Sequence, residues 1–86
     1  MRVTKNSLRE IVTELNVVLG RPAGLFDIGH LTVDHNHIGY QLEEEMNGKG
    51  AVFTHTGRMT AREMRYYLIG MIKGASILKT QNQKVS

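Results

Sequence analysis

The chain contains no cysteine. That excludes a disulfide staple and a thiolate metal site. Tryptophan is absent too, and two phenylalanines and three tyrosines make up the aromatic complement. These are too few and too scattered for the stacking ladder that single-stranded nucleic acid needs. No apolar run approaches the roughly 18 residues of a membrane span. The opening Met1-Arg2-Val3-Thr4-Lys5-Asn6 lacks the apolar stretch of a secretory signal. With neither export signal nor cysteine, the chain is expected in the cytoplasm and not at a membrane. An excess of one charge is missing as well: 11 Lys+Arg stand against 8 Asp+Glu, a net +3. That is mildly basic and short of a charge-driven nucleic-acid binder.

Catalytic raw material is equally sparse. Serine occurs only at Ser7, Ser76 and Ser86. Ser7 reads as a helix cap, Ser76 falls late in a helix and Ser86 ends the chain. Gly48-Lys49-Gly50 reads as hairpin material and not as a phosphate loop. No catalytic residue, cofactor or metal is nominated, and the chain is not expected to be an enzyme.

What remains is a small amphipathic domain. Its 86 residues suffice for one domain. A chain of this size buries only about 60–65% of its unfolded surface, so the core is thin. Small domains without staples often gain stability by self-association.

The first helix is punctuated at both ends. Ser7-Leu8-Arg9-Glu10 has capping-box spacing, with Thr4 as a rival cap one turn earlier. Leu8, Ile11, Val12, Leu15, Val18 and Leu19 form one stripe of 3.6 periodicity, leaving Arg9, Thr13 and Asn16 on the wet side. Gly20 suits the left-handed position after the helix, and Pro22 forbids its resumption. Ile28 to Val33 reads as a first strand, Asp34-His35-Asn36-His37 as a turn in which Asn36 tolerates positive φ, and Ile38, Tyr40 and Leu42 as one face of a second strand. Asn47-Gly48 signals a hairpin into a third strand, Ala51 to Thr54. Thr60-Ala61-Arg62-Glu63 is a second capping box, with Met59 and Met64 placed for a hydrophobic staple. The helix that follows has its core stripe at Met64, Tyr67, Leu68, Met71, Ala75 and Leu78.

These elements predict an α+β fold of two layers: an N-terminal helix, a three-stranded antiparallel meander and a C-terminal helix. The domain is expected over 1–79, with 80–86 a flexible polar tail. Both helices would cover the apolar face of the sheet. The other face would carry His30, Thr32, Gln41, Glu43 and Glu45, the candidate surface for a partner.

Four constellations compete for a functional role. Gly70 and Gly74 stand one turn apart in the second helix, at a cost of about 1 kcal/mol each relative to alanine. They open a groove for a neighbouring backbone, and the helix is apolar on more than one side. Either a second copy docks there, with Tyr66, Tyr67, Gly70 and Gly74 as the self-association surface, or the protein's own first helix or sheet does. Arg58, Arg62 and Arg65, at spacings of four and three, form a candidate phosphate contact at a helix start, with Arg2, Lys5 and Arg9 nearby. His35 and His37 beside Asp34 suggest a divalent metal, but the pair falls in a turn, where convergence is not assured, and polar turn residues are the favoured account. Glu43-Glu44-Glu45 point to alternate faces of a strand and so do not converge. They read as a solvated strand end that discourages edge pairing.

Three segments together resemble a group of small, uncharacterised tailed-phage and prophage proteins. These are Leu15-Asn16-x-x-Leu19-Gly20-Arg21-Pro22, Ile28-Gly29-His30-Leu31 with Gly39-Tyr40-x-Leu42, and Met59-Thr60-Ala61-Arg62-Glu63-Met64-Arg65-Tyr66-Tyr67-Leu68-Ile69-Gly70-Met71. The chain departs from that group in a shorter connector after Pro22. The resemblance implies an accessory, non-structural protein acting in the host cytoplasm, and it transfers no activity and no site residue. The functional expectation is a homodimeric protein-binding module directed at a host or defence factor. A weak nucleic-acid binder using the basic helix start is the alternative.

Overall fold

The computed structural model describes residues 3–85, with side chains described for residues 3–78. Arg2 and Ser86, named above, lie outside the described residues. The element order is α1 (Lys5–Val18), β1 (Leu31–His35), β2 (Tyr40–Glu45), β3 (Val52–Thr54) and α2 (Ala61–Val85). The three strands form an antiparallel sheet in the order β1-β2-β3. This is the expected α+β meander between two helices.

The start of α1 lies earlier than the Ser7 box implies. Thr4 is the N-cap: its hydroxyl accepts the Ser7 N–H at 3.1 Å, and the Ser7 hydroxyl accepts the Thr4 N–H at 3.0 Å. The rival cap wins because Ser7 at the third helical position can reciprocate. At the far end Gly20 takes φ +69°, the Gly20 N–H reaches the Val17 carbonyl at 3.1 Å and the Arg21 N–H the Asn16 carbonyl at 2.8 Å. This pair of bonds is a Schellman stop, which turns the chain toward Pro22. Leu8, Val12 and Leu15 are buried, and so is Asn16, which the helical pattern had placed on the wet side.

The strand boundaries shift. Ile28 is in a turn and 65% exposed, and β1 begins only at Leu31 and takes in His35. The first hairpin loop is His37-Ile38, closed by reciprocal bonds between Asn36 and Gly39. Asn36 does not adopt positive φ. Its side-chain oxygen instead accepts the N–H groups of Ile38 and Gly39 at 2.9 and 3.2 Å, an Asx turn that holds the loop without left-handed backbone. In the second loop the positive φ falls at Gly48 and Gly50, and Asn47 again works through its side chain, accepting from Lys49 and Ala51.

The register pairs Leu31 with Glu44, Val33 with Leu42 and His35 with Tyr40, then Glu44 with Phe53. One face of the sheet therefore carries Leu31, Val33, His35, Tyr40, Leu42, Glu44 and Phe53, and the other Thr32, Asp34, Gln41, Glu43, Glu45, Val52 and Thr54. The core is Leu8, Val12, Leu15, Leu31, Leu42, Met64 and Leu68, with Met59, Met71 and Ile72 packed against it. The helices pack on each other, α1 lies against β1 and α2 touches β2, and neither helix contacts β3. The expected two-layer cover is thus partial.

The capping box of α2 forms as the sequence predicts: the Glu63 carboxylate accepts the Thr60 N–H at 3.0 Å and the Thr60 hydroxyl accepts the Glu63 N–H at 3.1 Å. Tyr67 and Leu78, expected in the core stripe, are exposed, and Ile72 takes part in its place. The helix continues to Val85, through most of the stretch predicted to be a flexible tail from residue 80.

Candidate functional site

The side of α2 next to the one that carries Met64 and Leu68 is largely apolar beyond Glu63 and is uncovered. At 100° per residue, Tyr66, Tyr67, Gly70, Gly74, Ile77 and Leu78 fall on one side of the helix. Their large members are open to solvent: Tyr66 66%, Tyr67 40%, Ile77 58% and Leu78 61%. A Cβ built at Gly70 or Gly74 meets nothing within 4 Å. The reading in which the protein's own first helix or sheet fills this groove is therefore incorrect. Within one chain the glycines lower helix stability, and no described residue packs into the space they leave. A helix of 25 residues is about 37 Å long, against about 21 Å for the 14 residues of α1. The later turns of α2 thus outrun the helix that supports them.

The polar sheet face survives only in part as a partner surface. Thr32, Gln41 and Glu43 lie on it together, and the Gln41 amide donates to the Glu43 carboxylate. Glu45 does not belong to an open surface. It is buried, and its carboxylate accepts the N–H groups of Gly48 and Gly50 at 3.1 and 3.0 Å, holding the second hairpin loop. His30 precedes β1, and its Nδ1 donates to the Pro22 carbonyl at 2.9 Å.

The glutamate run lies on the central strand, so it guards no sheet edge, contrary to the reading of a solvated strand end. Each member has its own task. Glu43 stands on the polar face and Glu45 anchors a loop. Glu44 is on the helix side, where its Oε1 accepts from His55 Nε2 at 2.8 Å and meets Arg21 Nη1 at 3.2 Å. The His55 hydrogen bond chiefly holds the Glu44 carboxyl below the usual glutamate range, partial burial opposes it, and the Arg21 charge assists. Phe53 lies edge-on to the His55 ring, with centroids 5.0 Å apart.

The three arginines do not form one anion site. Arg58 precedes the Thr60 cap and is not on the helix, and its guanidinium is occupied by the Asp34 and Gly39 carbonyls and, at 2.7 Å, by the Asp34 carboxylate. It ties the first hairpin to the segment entering α2. Arg62 and Arg65 are on the helix, whose first turn already carries the Glu63 carboxylate. That negative group occupies the position a phosphate would need. The bonds to Thr60 hold the Glu63 carboxyl below its ordinary range.

His35 stacks on Tyr40 with centroids 4.1 Å apart, and Asp34 is engaged by Arg58. Among the described residues no group of three or more His, Cys, Asp or Glu side chains is placed to hold a metal ion. Among them, too, no helix is long and apolar enough to cross a membrane.

Two residues that organise these surfaces were missed by sequence reasoning. Asn16 had an angular signal, one turn from Val12 on the edge of the apolar stripe. Glu45 had a weaker one, a carboxylate immediately before a loop rich in glycine N–H groups.

In comparison with known proteins the chain matches no family model, no curated protein and no solved structure.

Proposed function

We propose that this protein is a protein–protein binding module that self-associates through the exposed face of α2. The observation that carries the reading is the exposed set Tyr66, Tyr67, Ile77 and Leu78 around two glycines whose Cβ positions are empty. Water gains nothing from that notch, whereas a second helix gains close backbone approach and four large apolar side chains. The open part of the polar sheet face, Thr32, Gln41 and Glu43, is left for a different protein. In the phage setting that the resemblance implies, that protein is a host or defence factor. The nucleic-acid alternative has less support, because Arg58 is occupied and Glu63 stands at the helix start.

Size-exclusion chromatography with light scattering tests self-association. The expected result is a dimer at micromolar concentration that Gly70→Leu converts to monomer while the circular dichroism spectrum is retained. A monomer at high micromolar concentration, unchanged by Gly70→Leu, overturns the proposal.

A further inference from the structure

The two edges of the sheet are treated differently. At the β1 edge, the Asn16 side chain donates to the Leu31 carbonyl and accepts the Leu31 N–H, both at 2.9 Å. The outward-facing backbone groups of Leu31 are thereby satisfied from α1. At the β3 edge there is no such cover. The bonds Met46 N–H to Ala51 carbonyl and His55 N–H to Leu42 carbonyl, 2.9 and 2.8 Å, show which residues of this segment face β2. By strict alternation Ala51, Phe53 and His55 bond inward, so the N–H and C=O of Val52 and Thr54 point away from the sheet. Edge strands are usually protected by charge, by proline or by a covering element. Ala51 to Thr54 has neither charge nor proline, neither helix contacts β3, and the glutamates that could have served lie one strand inward.

We infer that the β3 edge is the site where this module takes up an extended segment of its partner protein, one that alternates basic and apolar residues. Only another extended backbone matches donors and acceptors at this spacing. The two faces beside the edge specify the side chains. On the helix side Phe53 is 54% exposed, with no helix over it, and an apolar residue directly across from it would pack against its ring. On the opposite side Thr54 is paired with Glu43, and the strand residues of that face, Thr32, Asp34, Gln41, Glu43, Glu45, Val52 and Thr54, include no Lys or Arg. Asp34 is neutralised by Arg58, and among the described residues no cation neutralises Glu43. A lysine or arginine of an added strand, across from Thr54, has the length to reach Glu43. A second copy is the poorer occupant, because pairing two β3 edges sets two unneutralised Glu43 faces beside each other. This inference rests on the binding-module reading and names the contact for its second protein. It does not depend on the α2 face.

The test titrates the full chain, labelled with nitrogen-15, with a short capped peptide of alternating lysine and valine, and follows the backbone amides. Val52 and Thr54 are expected to shift most and saturably. The same peptide with glutamate for lysine should bind at least about tenfold more weakly, as should one N-methylated along its backbone. Thr54→Pro removes one outward N–H and no bond to β2, so it should leave the fold intact by circular dichroism and weaken the lysine peptide by about tenfold. Glu43→Gln should narrow the gap between the lysine and glutamate peptides. Gly70→Leu should leave the titration unchanged, which separates this site from the dimer reading. The inference is overturned if Val52 and Thr54 do not move, if both peptides bind alike, or if Thr54→Pro binds like the parent. It is also overturned if the two amides shift on concentrating the protein without peptide, which would make a second copy the occupant.

Discussion

Asn16 grips Leu31 by both of its backbone polar groups, the side-chain amide donating to the carbonyl and accepting the N–H at 2.9 Å each. The carboxamide stands where a fourth strand would stand, so the helix is locked to the sheet edge by polar geometry as well as by Leu8, Val12 and Leu15. Removing it by Asn16→Ala leaves a buried donor and a buried acceptor unpaired. Each such loss costs about 1–3 kcal/mol, so the variant should lose about 2–6 kcal/mol in urea unfolding. Asn16→Asp keeps the acceptor but loses the donor and buries a charge, and should be no better. An unfolding midpoint unmoved by Asn16→Ala would show that the pair is incidental.

The same residue shows what could and could not be read from sequence. The stop of α1 and the start of α2 were legible because they are local: Gly20, Pro22 and the Thr60–Glu63 box act within a few residues of themselves. The burial of Asn16 was not legible, because the helical periodicity put it on the wet side. Nor was its partner, since Leu31 comes near only after the chain has turned at Gly20. The strand starts failed for a related reason. Ile28 is as apolar as a strand residue, but its burial depends on what lies above it, and the structure leaves it 65% exposed in a turn. Glu43-Glu44-Glu45 alternated as predicted, yet three different fates followed, set by the loop, the polar face and His55. The open state of Gly70 and Gly74 could not be read either, because an empty groove and a filled one have the same sequence.

Glu45 should prove more important to local order than its neighbours. Its carboxylate accepts two loop N–H groups, Gly48 and Gly50. Glu45→Ala leaves both without that partner and should cost about 1–3 kcal/mol, with Gly48 and Gly50 amides exchanging with solvent faster than in the parent. Glu45→Gln keeps an acceptor and should lose less. Equal exchange in Glu45→Ala and the parent would mean the loop stands without it.

Glycine-to-alanine changes should have opposite signs at different positions. At Gly39, φ is +152° and a Cβ would lie 2.7 Å from the Met59 carbonyl oxygen, a backbone atom held by its own bond to the Tyr40 N–H. Gly39→Ala should therefore be strongly destabilising. At Gly70 and Gly74 the space is open and the backbone helical, so alanine should raise monomer stability by about 1 kcal/mol at each position. Thermal unfolding at high dilution measures this without the contribution of association. At higher concentration the same substitutions should weaken a dimer that uses the notch. A loss of stability in dilute Gly70→Ala would show that this helix face is already occupied within the chain.

Acid should remove one contribution from the Glu44 cluster. The His55 N–H, and then the Arg21 charge, stabilise the ionised carboxylate, so its folded pKa lies below its unfolded one, with partial burial pulling the other way. A depressed carboxylate contributes stability that is fully present above the unfolded value and is lost as pH falls through the folded value. The Glu44 side chain retains 21% exposure, so the contribution is on the order of 1 kcal/mol or less and is screened by salt. Comparing the parent with Glu44→Gln isolates it. The parent should unfold at the higher temperature at neutral pH, and the two curves should converge as pH drops below the ordinary glutamate range. Glu63, held down by its bonds to Thr60, loses its own contribution over the same window, but in both proteins alike, so it cancels in the comparison. A gap that stays constant through the carboxylate range would mean that Glu44 supports the fold by packing and not by charge.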